Sequence, residues 1–215
     1  MITVFRPIID RMKLLYLKRR EDMAEPVYET FGACKHLDAG RLRESTLPDG
    51  RRLQPFFLLV GNERPETATP IQFVGNVCQE VTWQGIDHEG YHSAELAIVH
   101  FLMTANHPRF GRLTIVHDTS RPGGFGRIRA VNRGKPFPII HTTRLHVTAV
   151  ADELPGTVLQ NEGPPLEFIS EPSSQWPPEN AVYTLQVNVN FQNRRDRAPM
   201  QITATSGSVL VGVRS

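Results

Sequence analysis

Hydrophobic and polar residues alternate most regularly between Tyr183 and Phe191. The apolar positions are Tyr183, Leu185, Val187, Val189 and Phe191, and the polar positions between them are Thr184, Gln186, Asn188 and Asn190. Successive side chains of a β-strand point to opposite faces, so this period of two places every apolar side chain on one face. The pattern predicts a strand with one buried and one solvated face, which is typical of an antiparallel sheet.

Further strand-like segments, separated by turn signals, extend this prediction over most of the chain. They cover residues 56–60, 71–83, 91–103, 113–117, 126–131, 138–150, 166–169 and 200–213. The 17 prolines and 16 glycines of the 215 residues suit a protein with many turns. We therefore predict an all-β fold, an antiparallel β-sandwich or jelly-roll-like domain with a short N-terminal helix.

The sequence divides into three regions. Residues 1–25 predict an amphipathic helix or arm, because apolar side chains recur at helical spacing among basic ones. Residues 26–54 predict an irregular linker, and residues 55–215 predict the antiparallel β domain. Within that domain, residues 153–180 are rich in proline, glutamate and serine. They predict a long surface connection, and the sequence leaves open whether it is a lid over a site or a passive loop.

Charge and composition exclude several classes of function. The net charge is +2, from 24 basic and 22 acidic residues, so nucleic acid is an unlikely partner. No apolar run has the length of a transmembrane segment. No secretory signal is visible at the start of the sequence. These features predict a soluble, cytoplasmic protein whose two cysteines, Cys34 and Cys78, are reduced.

One short motif, His88-Glu89-Gly90-Tyr91-His92, matches the H-E-x-x-H pattern of zinc peptidases. In that pattern two histidines one helical turn apart bind the metal, and the glutamate acts as general base. The motif offers an alternative hypothesis of a metal-dependent hydrolase, with His88 and His92 as ligands of zinc or iron and Glu89 as base. It requires a helix at residues 87–95, whereas Gly90 within the motif favours a turn.

Other candidate residues carry weaker signals. His36 and Asp38 have the spacing of a metal-binding pair, and Cys34 has lysine beside it. Two basic clusters have the chemistry to bind phosphate or carboxylate. They comprise Arg121, Arg127, Arg129, Arg133 and Lys135 in one and Arg194, Arg195 and Arg197 in the other. Solvated turns and satisfied core histidines remain the plainer interpretation of these residues.

The sequence favours a non-enzymatic binding or assembly module over the hydrolase, because no complete catalytic constellation is present. A protein partner, or a second copy of the chain, would dock on the N-terminal segment. A further hypothesis is a small-molecule cavity lined by the inward face of strands such as 183–191.

We expect deletion of residues 1–25 to lower the oligomeric state, or to abolish binding of a partner, while the β domain still folds. The physical reason is that an amphipathic segment buries its apolar face against a neighbour. Size-exclusion chromatography with circular dichroism checks this, and an unchanged elution volume together with intact partner binding would contradict it.

Overall fold

The computed structural model describes residues 33–40 and 46–212, and these residues form strands, turns and loops without a helix. The strands are β1 (Ala33–Ala39), β2 (Phe56–Val60), β3 (Pro70–Ile71), β4 (Phe73–Ile86), β5 (His92–His107), β6 (Gly111–His117), β7 (Phe125–Ala130), β8 (Ile139–Leu145), β9 (Val147–Ala151), β10 (Leu159–Asn161), β11 (Leu166–Ser170), β12 (Ala181–Leu185), β13 (Val189–Asn193), β14 (Pro199–Ala204) and β15 (Ser208–Val211). The all-β prediction is confirmed. The helix predicted within residues 1–25 lies outside the described residues.

Eight strands close into a barrel. Their order around the ring is β5, β4, β1, β15, β12, β11, β8 and β7, and β7 pairs with β5 to complete it. Every neighbouring pair in the ring is antiparallel. Closure leaves this ring without a free edge. The antiparallel arrangement is therefore confirmed, whereas the predicted two-layer sandwich or jelly roll is not.

The remaining strands extend the same sheet beyond the barrel. From β5 they follow the order β6, β9, β10, β13, β14, β2 and β3. Strand β5 belongs to both parts, because Ser93–Ala97 pairs with β7 and Leu102–His107 pairs with β6. The chain also crosses between the two parts at the short breaks from β8 to β9, β12 to β13 and β14 to β15.

The alternating segment that carried the fold prediction is two strands rather than one. Tyr183 and Leu185 on β12 and Val189 and Phe191 on β13 are buried, as the alternation predicts. Val187 is 53% exposed, because residues 186–188 leave the ladder between the two strands. Because of this break, β12 pairs within the barrel and β13 pairs within the extension.

Two apolar clusters stabilise this architecture. The larger one combines barrel residues such as Leu37 and Phe168 with extension residues such as Leu113 and Phe191. The smaller one consists of Val81, Ala94, Leu96, Ile128 and Ile139, from β4, β5, β7 and β8. A buried aliphatic side chain of this kind contributes about 1.5–3 kcal/mol.

Around β1 the structure differs from the predicted irregular linker and from the predicted reduced cysteines. Ala33–Ala39 form a regular strand within the segment predicted to be irregular, and its partners are β4 and β15. On the β1–β4 ladder Cys78 lies opposite Cys34, and Cys78 is disulfide-bonded. The expectation of two reduced cysteines is therefore wrong. Because disulfides persist mainly in oxidising compartments, this bond lends no support to a cytoplasmic location.

The segment 153–180 contains two short strands, β10 and β11, rather than the single one predicted. Asn161 at the end of β10 is fully buried. Its Oδ1 accepts a hydrogen bond of 2.9 Å from the backbone N–H of Val147, and its Nδ2 donates one of 2.9 Å to the carbonyl oxygen of Pro164. Part of this connection is thus built into the sheet.

Within residues 33–40 and 46–212, no helix has the length and apolar character that crossing a membrane requires.

Candidate functional site

The H-E-x-x-H motif forms the turn that joins β4 to β5. The Oδ1 of Asp87 accepts hydrogen bonds of 3.0 Å from the backbone N–H groups of Glu89 and Tyr91. Gly90 has a φ of 85°, a left-handed conformation that glycine adopts without strain. The helix that the hydrolase hypothesis requires at residues 87–95 is therefore absent. The His88 side chain is 88% exposed, and the histidines do not share one face of a helix.

Glu89 is paired with an arginine. Arg129 on β7 contacts the Glu89 carboxylate, and its Nε donates a hydrogen bond of 3.0 Å to Asp87 Oδ2. Its guanidinium lies 4.1 Å from the centroid of the Tyr91 ring. The backbone N–H of Tyr91, together with Arg129, holds the pKa of Asp87 below its usual value. In the described part of the chain, no group of three or more His, Cys, Asp or Glu side chains is placed to hold a metal ion.

The arginines of the predicted basic clusters mostly serve the protein itself. Arg121 donates to the carbonyl oxygens of Asn161 and Gly163 at 2.7 and 3.0 Å. Arg127 lies 3.5 Å from Asp87, and Arg194 donates to the Ser120 hydroxyl at 2.8 Å. These contacts tie turns to neighbouring strands, so the arginines act mainly as structural groups.

The most distinctive feature of the interior is an apolar cavity of about 70 Å³. It lies where the barrel meets the extension, and strands of both parts contribute to it. Its lining includes Phe101, Leu113, Ala149, Phe191 and Val209, and every residue that lines it is apolar. A fully apolar cavity of this kind stays dry and offers space to an apolar molecule.

A second cavity of about 40 Å³ lies next to the first. Four residues line both cavities and so form the partition between them: Phe101, Met103, Phe168 and Val209. The second cavity differs in chemistry, because Gln79, His141, Thr143 and Tyr183 also line it. We call these four residues the polar cluster.

The polar cluster is placed by strand alternation. On β4, Gln79 is two residues from Val77 of the larger apolar cluster and two residues from Val81 of the smaller one. On β8, His141 and Thr143 follow Ile139 on the same inward face. Polar side chains thus occupy one level of an otherwise apolar interior.

Hydrogen bonds connect the four side chains. The Tyr183 hydroxyl lies 2.6 Å from Nδ1 of His141, and the Thr143 hydroxyl lies 3.1 Å from Nε2 of the same ring. Gln79 Nε2 donates to Thr143 Oγ1 at 3.2 Å. The His141 ring also packs edge-on against Trp176, with centroids 5.0 Å apart. The cluster is therefore connected internally and held by aromatic packing.

Burial keeps the polar cluster uncharged. It lowers the pKa of His141 to about 3, and it raises the pKa of Tyr183 well above its usual value. Neither cavity has a lysine, arginine, aspartate or glutamate in its lining. At neutral pH the site therefore presents neutral donors and acceptors beside an apolar space.

No sequence motif groups His141 with Gln79, Thr143 and Tyr183. The sequence contained only a weak indication that these side chains lie together. His141 and Thr143 are two residues apart in a predicted strand and so share a face, and Tyr183 begins the buried face of the alternating segment. Only the closure of the barrel brings these residues of β8 and β12 together with Gln79 on β4.

Comparison with known proteins supports the fold. No family model matches the chain, and no curated protein matches its sequence. Among solved structures, it resembles DynF from the dynemicin biosynthesis pathway of Micromonospora chersina, with a TM-score of 0.64 over 87% of this chain and 83% of that one. The two sequences are 13% identical, so the likeness shows a shared all-β fold and nothing about activity.

Proposed function

We propose that this protein is a non-enzymatic binding module that holds a small, largely apolar molecule between the barrel and the extension. The observation that carries the proposal is the apolar cavity of about 70 Å³ at the junction of the barrel and the extension. An empty apolar cavity weakens packing, and a ligand that fills it regains those contacts. Pockets of this kind, with a few polar groups at one end, are typical of small-molecule sites.

The side chains that line the larger cavity can also rearrange to admit a ligand larger than the cavity itself. Met103 is part of the partition between the two cavities. A methionine side chain is unbranched and has several rotatable bonds, so it moves at low cost. Displacing Met103 would join the two cavities into one space. A cavity of roughly 150 Å³ holds a benzene ring, so the two cavities accept a molecule of about that size only when Met103 moves aside and adds its own space.

Isothermal titration calorimetry with isopropylbenzene tests this proposal directly. The probe is apolar and compact, and we expect saturable binding with one molecule bound per chain. Binding should also raise the melting temperature, because a ligand that binds only the folded state stabilises it. No heat of binding and no thermal shift, for this probe or any neutral analogue of its size, would contradict the proposal.

We expect Ala149→Leu to weaken isopropylbenzene binding at least about tenfold. Ala149 is buried on β9 and faces the cavity, so the added isobutyl group takes the space of the ligand. Stability without ligand should be kept or raised, because the new atoms fill a void.

Val150→Leu is the matched control for this variant. Val150 is the next residue of β9, on the opposite face, and it is 45% exposed. This variant should bind isopropylbenzene as the wild type does. Equal binding by all three proteins would place the ligand somewhere other than this cavity.

A further inference from the structure

Within the polar cluster, Tyr183, His141 and Thr143 together carry one more polar hydrogen than the contacts among these three groups use. Tyr183, neutral His141 and Thr143 each carry one polar side-chain hydrogen, and two contacts join the three groups. If the ring hydrogen is on Nε2, Tyr183 donates to His141 and His141 donates to Thr143. The hydroxyl hydrogen of Thr143 then has no acceptor within the cluster.

The other tautomer leads to the same surplus. If the ring hydrogen is on Nδ1, His141 donates to Tyr183 and Thr143 donates to His141 Nε2. The hydroxyl hydrogen of Tyr183 is then left over. Gln79 does not relieve this, because it turns its Nε2 and not its amide oxygen toward these groups: Nε2 donates to Thr143 and lies 3.5 Å from His141 Nε2. In either case one hydroxyl donor that lines the second cavity lacks an acceptor among the side chains of the cluster.

A further donor beside the cluster is unpaired. The Nε1 of Trp176, whose ring packs against His141, is buried and has no hydrogen-bond partner among the described residues. A buried donor without an acceptor costs about 1–3 kcal/mol. The site thus has a surplus of donors among side chains that are buried.

We propose that the bound molecule carries a neutral hydrogen-bond acceptor, such as a ketone or ether oxygen, that lies against Thr143 and Tyr183 while its apolar body occupies the larger cavity. This inference rests on the proposed function and names the chemical class of its ligand. An acceptor oxygen takes up the surplus hydrogen of either tautomer. The apolar remainder extends past Met103 into the cavity lined by Phe101 and Val209.

A carboxylate is excluded from this class on electrostatic grounds. A buried anion needs a cation or several donors to offset its lost hydration. Neither cavity is lined by lysine or arginine. His141 supplies no positive charge at neutral pH, since burial keeps its ring neutral.

Three probes of matched shape test the inference: isopropylbenzene, acetophenone and benzoate. They have the same number of non-hydrogen atoms, and they place a methyl group, a neutral oxygen and an anionic oxygen at the same position. In calorimetry with the wild-type protein we expect acetophenone to bind at least about fivefold more tightly than isopropylbenzene. Benzoate should bind at least about tenfold more weakly than acetophenone.

Removing only the two hydroxyls would leave the His141 N–H and the Gln79 amide without their acceptors, so the informative variant makes the whole polar cluster apolar: Gln79→Leu, His141→Phe, Thr143→Val and Tyr183→Phe together. We expect this apolar variant to lose the preference for acetophenone and to keep its affinity for isopropylbenzene, which also reports that the barrel is folded. Thr142→Val is the matched control, because Thr142 is the neighbouring residue of β8 on the outward face. It should keep the preference.

Each outcome separates the two proposals. Equal or tighter binding of isopropylbenzene by the wild type would overturn the inference and leave the proposed function standing. Benzoate binding as tightly as acetophenone would also overturn it. A preference for acetophenone that survives in the apolar variant would place the acceptor elsewhere. Failure of all three probes to bind would overturn the proposed function itself.

Discussion

We expect the free energy of unfolding to fall by roughly 4 kcal/mol between about pH 7 and about pH 3, with His141 as the largest single contributor. The His141 ring is fully buried, and burial lowers its pKa to about 3 in the folded protein. In the unfolded chain the ring is solvated and titrates near the ordinary value of 6.5. Urea unfolding at stepped pH values measures the effect.

The sign follows from proton uptake. Between about pH 6.5 and pH 3 the unfolded chain binds a proton at His141 that the folded protein does not, so acid favours unfolding. The stabilisation is fully present above about pH 6.5 and is lost progressively as the pH falls toward 3. One such group contributes about 1.4 kcal/mol per pH unit in this window. Burial also lowers the pKa of His107, His117 and His146, and these histidines act in the same direction.

Replacement of His141 isolates its share. The slope of unfolding free energy against pH reports the difference in bound protons between the unfolded and folded states. We expect His141→Gln to reduce this difference by about one proton between pH 6 and pH 4, whatever its effect on stability at neutral pH. An unchanged slope in His141→Gln would show that this ring is charged in the folded state.

We expect Gly75→Ala to lower the free energy of unfolding by about 3 kcal/mol or more, the upper range for overpacking. Gly75 lies on β4, opposite Met103 of β5 and Leu37 of β1. A Cβ at this position would collide with the carbonyl oxygen of Leu102 and lie 2.8 Å from the Cα of Met103. Both are backbone atoms of the strand shared by the barrel and the extension, so neither moves without disturbing a ladder.

Chemical denaturation of Gly75→Ala beside Asn76→Ala measures this effect. Asn76 is the next residue of β4 and is exposed, so its replacement should change stability by less than about 0.5 kcal/mol. Two equally stable variants would mean that β4 and β5 separate locally at this point without cost.

The sequence predicted the fold class well where one face of a strand is buried. The alternation around Tyr183 and Phe191 placed four apolar side chains on the buried side, because the interior selects apolar residues at every second position. It failed at Val187, since nothing in the pattern distinguishes a continuous strand from two strands with a short break. Ala33–Ala39 were missed because a strand with lysine, histidine and aspartate in it lacks a clear alternation.

The candidate site was harder to predict than the fold. Motif reasoning drew attention to His88 and His92, yet the local sequence around Gly90 favoured the turn that the structure contains. Gln79, His141 and Tyr183 come from strands far apart in sequence, and no spacing rule connects them. Their proximity depends on the closure of the barrel through β15 and β7, which the periodicity of a single strand does not encode.

The position of β15 between β1 and β12 has a consequence for folding during synthesis. Hairpins such as β4–β5 and β5–β6 join neighbours in the sequence and form early, because their loops are short. The barrel closes only when Ser208–Val211 has left the ribosome and paired with strands made long before. Until then, the apolar faces around Phe101 and Phe168 are open to solvent and to other chains. The nascent chain is therefore most exposed to aggregation just before β15 arrives.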